Sequence, residues 1–233
     1  MAPPIALIFG SGANIGAAVA KRFLSAGYRV ATVSRSAPSP PALSADGRSL
    51  SVRADLAQPR QVPGVFAAAA SAWPDSEVGV VVWNAAGLTP PPQQGNLFSV
   101  PAEALARDLD LMVTAPFVAA GEAFGLWTKE GGRGKGVFVM TGNMFAKVVV
   151  PLERFTTLGV SKSGAAYWVA EADMIYREKG IRFFYADERQ ADGKPMSSTP
   201  GAESHAEMYL YLAQGATELP SYVTFVDGKY VKF

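Results

Sequence analysis

The chain has 233 residues, 49% hydrophobic and 18% charged, which is the balance of a globular domain long enough to bury a core. Its 21 basic and 20 acidic residues leave a formal charge of +1, so bulk electrostatics do not favour a nucleic-acid partner. The absence of cysteine excludes disulfides and a thiol nucleophile, and a single histidine disfavours a metal centre and a Ser-His-Asp triad. We interpret that residue, His205, as part of the polar start of a helix.

The first residues, Met1-Ala2-Pro3-Pro4, lack the basic segment of a secretory signal. The apolar runs also fall short of the roughly 18 residues that a membrane-spanning helix requires. We therefore expect a protein without a membrane partner, located in the cytoplasm.

Short β-rich apolar runs alternate along the chain with alanine-rich stretches of helical spacing, which is typical of parallel βαβ units. The predicted strands cover residues 5–9, 29–34, 50–52, 78–83, 136–141, 182–185 and 222–226. The predicted helices cover residues 15–26, 62–72, 101–129, 156–179 and 203–214. This pattern predicts the α/β class: one doubly wound, Rossmann-type domain over residues 1–233, with a mostly parallel sheet flanked by helices.

Four irregular stretches interrupt the alternation, at residues 36–46, 88–96, 130–136 and 187–204. All except 130–136 follow the C-terminal end of a strand, which is the edge where open α/β sheets bind ligands. We expect the functional site at that edge.

A glycine-rich turn joins the first strand to the first helix, with the sequence Gly10-Ser11-Gly12-Ala13-Asn14-Ile15-Gly16. Glycine allows left-handed angles and a close approach of the backbone to a pyrophosphate, whose charge then lies at the helix N-terminus. The turn therefore predicts a dinucleotide site that includes Gly10, Ser11, Asn14, Ile15 and Gly16.

The second strand ends in Ser34-Arg35-Ser36, where an NAD site usually offers an acidic side chain to the ribose 2′-hydroxyl. A guanidinium at that place suits a 2′-phosphate by charge and by its fork of donors. The cofactor that the sequence predicts is therefore NADP(H).

Taken with Asp55-Leu56 and Asn84-Ala85-Ala86-Gly87, the glycine turn resembles the short-chain dehydrogenase/reductase superfamily over nearly the whole chain. The resemblance implies that Asp55 and Leu56 flank the adenine. It also implies that Asn84, Ala85, Ala86, Thr141 and Lys162 complete the cofactor site. Asn14 departs from the family, whose turn usually has a second glycine there; since asparagine tolerates positive φ, we expect the turn to survive.

The catalytic residues of the family are retained only at the lysine. A Tyr-x-x-x-Lys pair is usual, but here Leu158 stands four residues before Lys162. Gly142 or Asn143 falls near the family's serine, and Met112 falls at its asparagine. In addition, the family usually has a Pro-Gly pair after the strand predicted at 182–185, whereas this chain has Glu188-Arg189 there.

Three interpretations remain open. The favoured one is a reductase that transfers hydride to an iminium ion or a conjugated alkene, which needs no proton from a tyrosine; atypical reductases of fungal alkaloid and other secondary-metabolite pathways are similar. The second is a substitute acid, and the candidates are Lys162, Asn143 through a water, Glu153, Arg154, Thr156 and Thr157. The third is a non-redox cyclase, isomerase or regulatory binder that keeps the dinucleotide as a scaffold. Lys162 and Asn143 are the candidate catalytic residues.

Apolar side chains are expected to line the substrate pocket, which favours a bulky apolar small molecule as substrate. The predicted lining residues are Leu88, Met112, Met144, Phe145 and Leu158, with residues 90–92 and 187–204 as walls. Family resemblance further implies a homo-oligomer that pairs the helices predicted at 101–129 and 156–179.

Overall fold

The computed structural model describes residues 2–196 and 199–233. One mixed sheet runs through them, with nine strands. The strands are β1 (Ile5–Phe9), β2 (Arg29–Ser34), β3 (Ala42–Leu43), β4 (Ser49–Arg53), β5 (Val78–Trp83), β6 (Gly136–Thr141), β7 (Ile181–Glu188), β8 (Tyr222–Val226) and β9 (Lys229–Tyr230). The helices are α1 (Ile15–Ser25), α2 (Val62–Ala72), α3 (Ala102–Leu109), α4 (Ala115–Thr128), α5 (Thr156–Tyr176) and α6 (Ala202–Ala213).

The strand order is β3-β4-β2-β1-β5-β6-β7-β8-β9, and only the two outermost pairs are antiparallel. Helices α2, α4 and α5 cover one face of the sheet, while α1 and α6 cover the other. The central strands β1 and β5 are buried along their whole length, as strands covered on both faces must be. The predicted doubly wound α/β fold is confirmed.

Strand β7 is longer than the sequence pattern predicts. The prediction ended it at residue 185 and began an irregular stretch at Asp187, which is wrong because β7 continues to Glu188. These two acidic residues pair with Thr224 and Phe225 of β8, so backbone hydrogen bonds hold them in the sheet. Two carboxylates are thereby carried into the interior.

The helix predicted at 101–129 is interrupted by a π-helical turn over Asp110–Thr114, between α3 and α4. Two local causes are present. Pro116 has no N–H to donate to the carbonyl four residues earlier, and the indole of Trp83 donates to the carbonyl of Leu111 at 3.2 Å. The combined helix Ala102–Thr128 is long and apolar enough to cross a membrane by length and composition. The sequence expectation that no segment reaches that limit was therefore wrong, although core helices of soluble proteins meet the same criterion.

Candidate active site

Two cavities adjoin each other at the C-terminal edge of the sheet. The first, of about 450 Å³, runs from the glycine turn to the end of β2. The second, of about 580 Å³, lies over the ends of β6 and β7. Asn84 and Ala86, which follow β5, line both cavities. A ligand of dinucleotide length can therefore extend from one into the other.

Close backbone packing makes glycine necessary at two positions of the turn. Gly10 has a φ of +93°, and a Cβ there would lie 2.5 Å from the backbone nitrogen of Ala85. A Cβ at Gly16 would lie 2.5 Å from the carbonyl oxygen of Gly10. The two glycines bring the turn against the segment after β5 and against the start of α1.

Asn14 does not adopt the positive φ considered from the sequence; its φ is −90°. Its side chain does not cap α1 and instead donates to the carbonyl of Pro200 at 3.0 Å. The first N–H groups of a helix have no partner within the helix, and the Asn14 side chain does not accept from them. This donor set fits a phosphate, which a helix N-terminus also favours electrostatically.

The far end of the first cavity carries the residues predicted for the adenosine half. Ser34, Arg35 and Ser36 line it, as do Asp55 and Leu56. The Asp55 carboxylate accepts hydrogen bonds from the Ala57 amide and the Gln58 side chain, both at 3.2 Å, which fixes its orientation. A guanidinium and two hydroxyls thus surround a space that a phosphorylated ribose would fit.

A chain of hydrogen bonds runs beneath the junction of the two cavities. The Tyr209 hydroxyl donates to Thr141 Oγ1 at 2.7 Å, and Thr141 donates to Asn84 Oδ1 at 3.1 Å. The Asn84 amide in turn donates to the carbonyl of Gly10 at 2.8 Å. Helix α6, strand β6 and the glycine turn are therefore held in one fixed arrangement.

Lys162 lies at the floor of the second cavity and is 3% exposed. Its ammonium donates to the carbonyl of Thr141 at 2.6 Å, at the end of β6. Burial lowers the pKa of Lys162 to about 8, and the nearby Asp187 carboxylate partly opposes that shift. A cationic donor is thus placed where the cavity meets the sheet.

Comparison with known proteins identifies this architecture. Residues 4–186 match the family model of the short chain dehydrogenases. The chain is also 35% identical, over its full length and 96% of the relative, to the short chain dehydrogenase/reductase dmxR12 of Cryptosporiopsis sp. (strain 8999). The chain belongs to the short-chain dehydrogenase/reductase family. Relatives in this family are oxidoreductases.

Solved structures of the family share the fold. A short-chain dehydrogenase/reductase from Serratia marcescens superposes with a TM-score of 0.75 at 22% identity, covering 97% of this chain and 96% of that one. A metagenomic short-chain oxidoreductase in complex with NADP gives a TM-score of 0.76 at 18% identity, covering 96% of each chain.

In this short-chain dehydrogenase/reductase, the predicted substrate residues Met144, Phe145 and Leu158 line the second cavity. Met112 does not, and that prediction is wrong. Its side chain is fully buried within the π turn, and its sulfur accepts from the amide of Gly87 at 3.5 Å. Leu88, also predicted for the pocket, points to solvent, because it is 45% exposed.

The end of β6 leaves no room for a side chain at Gly142. A Cβ at Gly142 would lie 2.2 Å from the ring of Tyr185, so the tyrosine fills the space of a side chain there. The Tyr185 hydroxyl accepts from the amide of Asn143 at 3.1 Å and donates to its carbonyl at 3.0 Å. The Asn143 side chain lines the cavity while its oxygen accepts from the amide of Phe145 at 3.1 Å.

Sequence reasoning missed a buried polar cluster formed by Asp187, Glu188 and His205, which all line the second cavity. Asp187 Oδ2 accepts from the Arg189 guanidinium at 2.6 Å and from the Tyr222 hydroxyl at 2.7 Å. The signal was present, since two acidic residues directly follow the apolar run of β7 at the ligand-binding edge.

His205 lies in the first turn of α6, as the sequence predicts, but it is 2% exposed and belongs to the buried cluster. Its Nδ1 lies 2.8 Å from the carbonyl of Gly201 and 3.5 Å from Glu188 Oε2, which also accepts from the Gly201 amide at 2.7 Å. Burial lowers the pKa of His205. The imidazole is therefore neutral at neutral pH, with its Nδ1 proton directed to the carbonyl.

The other candidate acids have structural partners. Glu153 accepts from the amide of Gly95 at 3.1 Å, and Arg154 lies over the ring of Phe155. The hydroxyl of Thr156 donates to the carbonyl of Glu153 at 2.8 Å. Thr157 is buried and accepts from the amide of Thr89 at 3.1 Å.

Proposed function

We propose that the chain is an NADP(H)-dependent reductase with a non-standard active site, acting on an apolar iminium ion or conjugated compound. One observation carries the proposal: Lys162 and the apolar Leu158 share the cavity that continues from the phosphate-binding turn. The cofactor side of the family's arrangement is present, whereas the hydroxyl that would donate a proton is replaced by a hydrocarbon. When bound, the cofactor supplies a hydride.

Leu158 suits substrates that take up hydride without a proton from the enzyme. An iminium carbon accepts the hydride electron pair as a new C–H bond, its π electrons move to nitrogen, and a neutral amine results. A conjugated ketone accepts hydride at its β-carbon, and the enolate then takes its proton from water. Neither reaction requires an acid at residue 158, while plain ketone reduction loses about 10²–10⁴ in rate without one.

The remaining side chains of the site bind and orient the cofactor and the substrate. The Lys162 ammonium, fixed by the carbonyl of Thr141, offers its other protons to hydroxyl groups of a bound ligand. Met144, Phe145 and Leu158 exclude water from the reacting carbon. Ser34 and Arg35 support the preference for a 2′-phosphate.

A second candidate function is favoured by the cluster of Asp187, Glu188 and His205, since such groups can move protons in a cyclase or isomerase. Turnover with NADPH deuterated at the transferred position separates the two. We expect 3,4-dihydroisoquinolinium or cyclohexenone to consume NADPH and to acquire deuterium at the iminium or β-carbon. Product that forms without label would contradict the reductase and support the alternative.

Cofactor preference is tested at Arg35. Replacing it with alanine removes a charge-assisted contact, so we expect NADPH to bind about 10- to 100-fold more weakly while NADH binding changes little. Arg48→Ala is the control, because Arg48 precedes β4 at the opposite edge of the sheet. Fluorescence titration measures both, and equal losses for the two cofactors at Arg35→Ala would overturn the NADP(H) assignment.

A further inference from the structure

A further apolar depression, here called the outer groove, adjoins the second cavity, which holds Lys162 and is called the active-site cavity from here on. The outer groove has a volume of about 730 Å³ and is formed by residues 95–97, the segment 145–156 and the outer side of α5 at 159–163. Most of its lining comes from the segment between β6 and α5.

The outer groove and the active-site cavity share walls. Phe145, Val150 and Phe155 line both. The rings of Phe145 and Phe155 are tilted against each other with centroids 5.1 Å apart. Because these shared walls are apolar side chains, a ligand that extends along them into both spaces leaves no polar group of the walls buried and unpaired.

The lining of the outer groove exposes large apolar side chains. Val149 is 94% exposed and Val160 is 51% exposed, and Leu97, Val148 and Leu152 are exposed as well. Contiguous exposed apolar surface marks an interaction site in soluble proteins. Position favours a ligand of this enzyme over an unrelated partner, because the groove shares three wall residues with the cavity that holds Lys162.

The chemistry of the lining restricts the ligand. Among the lining residues that the structure describes, Glu153 is the one ionisable side chain, and its carboxylate accepts from the amide of Gly95 at 3.1 Å. All other lining side chains except Thr156 and Ser163 are apolar or glycine. The groove therefore suits an uncharged hydrocarbon body.

We propose that the outer groove binds the distal part of the substrate, so that the substrate is an elongated molecule that reacts at one end and carries an uncharged apolar body at the other. The reactive C=N or C=C end lies over Lys162, and a long alkyl or fused-ring body extends past Phe145 and Phe155. This rests on the proposed function for the reactive end. Each space alone has the size of a small-molecule pocket, about 300–1,000 Å³, and together they hold a ligand too long for either.

The test is a homologous series of linear 3-alken-2-ones, from hexenone to dodecenone, titrated calorimetrically in the presence of NADP⁺. NADP⁺ cannot deliver a hydride, so binding is measured apart from reduction. In the wild-type protein we expect affinity to keep rising with chain length, up to about fourfold for each methylene that leaves water.

The informative variant is Gly159→Leu, because a Cβ at Gly159 meets no atom within 4 Å and the leucine would fill the groove. In this variant we expect the affinity for the alkenones to stop rising once the alkyl chain fills the active-site cavity. Gly64→Leu is the matched control, being a glycine in helix α2 with the same free space and away from the site. It should reproduce the wild-type series.

Two outcomes would overturn the proposal. The first is an affinity that rises equally steeply with alkyl-chain length in the wild type and in Gly159→Leu. The second is a wild-type affinity that does not change with chain length, together with a Val149→Asp variant whose sedimenting mass differs from that of the wild type. That pair of results would make the groove an interface between copies of the chain. Failure of the proposed function is a separate result: the long ketones bind, but NADPH is not consumed when it replaces NADP⁺.

Discussion

Leu158 lies four residues before Lys162 on α5, and both residues line the active-site cavity. We expect Leu158→Tyr to restore a proton donor one helical turn before Lys162. Reduction of a plain ketone such as cyclohexanone should rise about 10²-fold in kcat/KM, measured by NADPH consumption.

Leu158→Phe controls for bulk, since it adds the ring without the hydroxyl. If the tyrosine and phenylalanine variants reduce the ketone equally slowly, the loss of the tyrosine is not what limits ketone reduction in this chain.

The buried ammonium of Lys162 predicts a pH dependence of stability. Its pKa in the folded protein is about 8, below the ordinary value of 10.5, so between these values the unfolded chain holds more protons. Raising the pH from about 8 to 9.5 should therefore stabilise the wild type by about 1.5 kcal/mol relative to Lys162→Met. Urea unfolding across that range measures the difference, and parallel profiles for the two proteins would contradict it.

At the scale of single residues, the sequence could locate a functional residue where the spacing of a local motif fixes its position. The glycine turn and the Leu158/Lys162 pair could be located because motif spacing fixes their place on a strand end or a helix face. Gly142 could not be explained in the same way, because the Tyr185 ring that fills its space comes from another strand. The cluster around Asp187 likewise depends on tertiary pairing between β7 and β8.

At the scale of elements, a buried ion pair ties α5 to β7. Arg182 Nε donates to Asp173 Oδ1 at 2.7 Å, and the same guanidinium donates to the carbonyls of Ala216 and Leu219. Removing one partner would leave a buried charge uncompensated. We expect Asp173→Ala to lower the free energy of unfolding by about 3–5 kcal/mol, measured by denaturant titration.

The matched control is the pair between Arg29 and Asp75, whose carboxylate is 60% exposed. Water screens that pair, so Asp75→Ala should cost at most about 1 kcal/mol. Similar losses at both sites would mean that burial of the Arg182 pair does not govern its contribution.

Elements were predictable where one pattern covers a whole segment. The buried strands and the amphipathic helices follow from composition and period, because both faces of the sheet are covered. The two-residue edge strands β3 and β9 are too short for any period to indicate. The end of β7 was missed because acidic residues usually mark a loop, whereas here Arg189 and Tyr222 satisfy Asp187 inside the sheet.

At the scale of the whole molecule, α5 presents an apolar stripe to solvent. Tyr167, Met174 and Ile175 are exposed along it, at helical spacing. Phe117 of α4 is exposed beside them, with its ring 5.6 Å from that of Trp168. We propose that this surface pairs with its copy in a homo-oligomer, since a continuous apolar face across two helices suits an interface of about 1,200–2,000 Å².

Met174→Asp tests this pairing, because it places a charge at the middle of the stripe on a side chain that is 77% exposed and contributes little to the core. We expect the wild type to sediment as a dimer or larger assembly and the variant to sediment as a monomer with unchanged circular dichroism. Leu43→Asp, on the distant edge strand β3, should leave the mass unchanged. A monomeric wild type would contradict the proposed oligomer. An assembly that persists in Met174→Asp would mean that the interface lies on another surface.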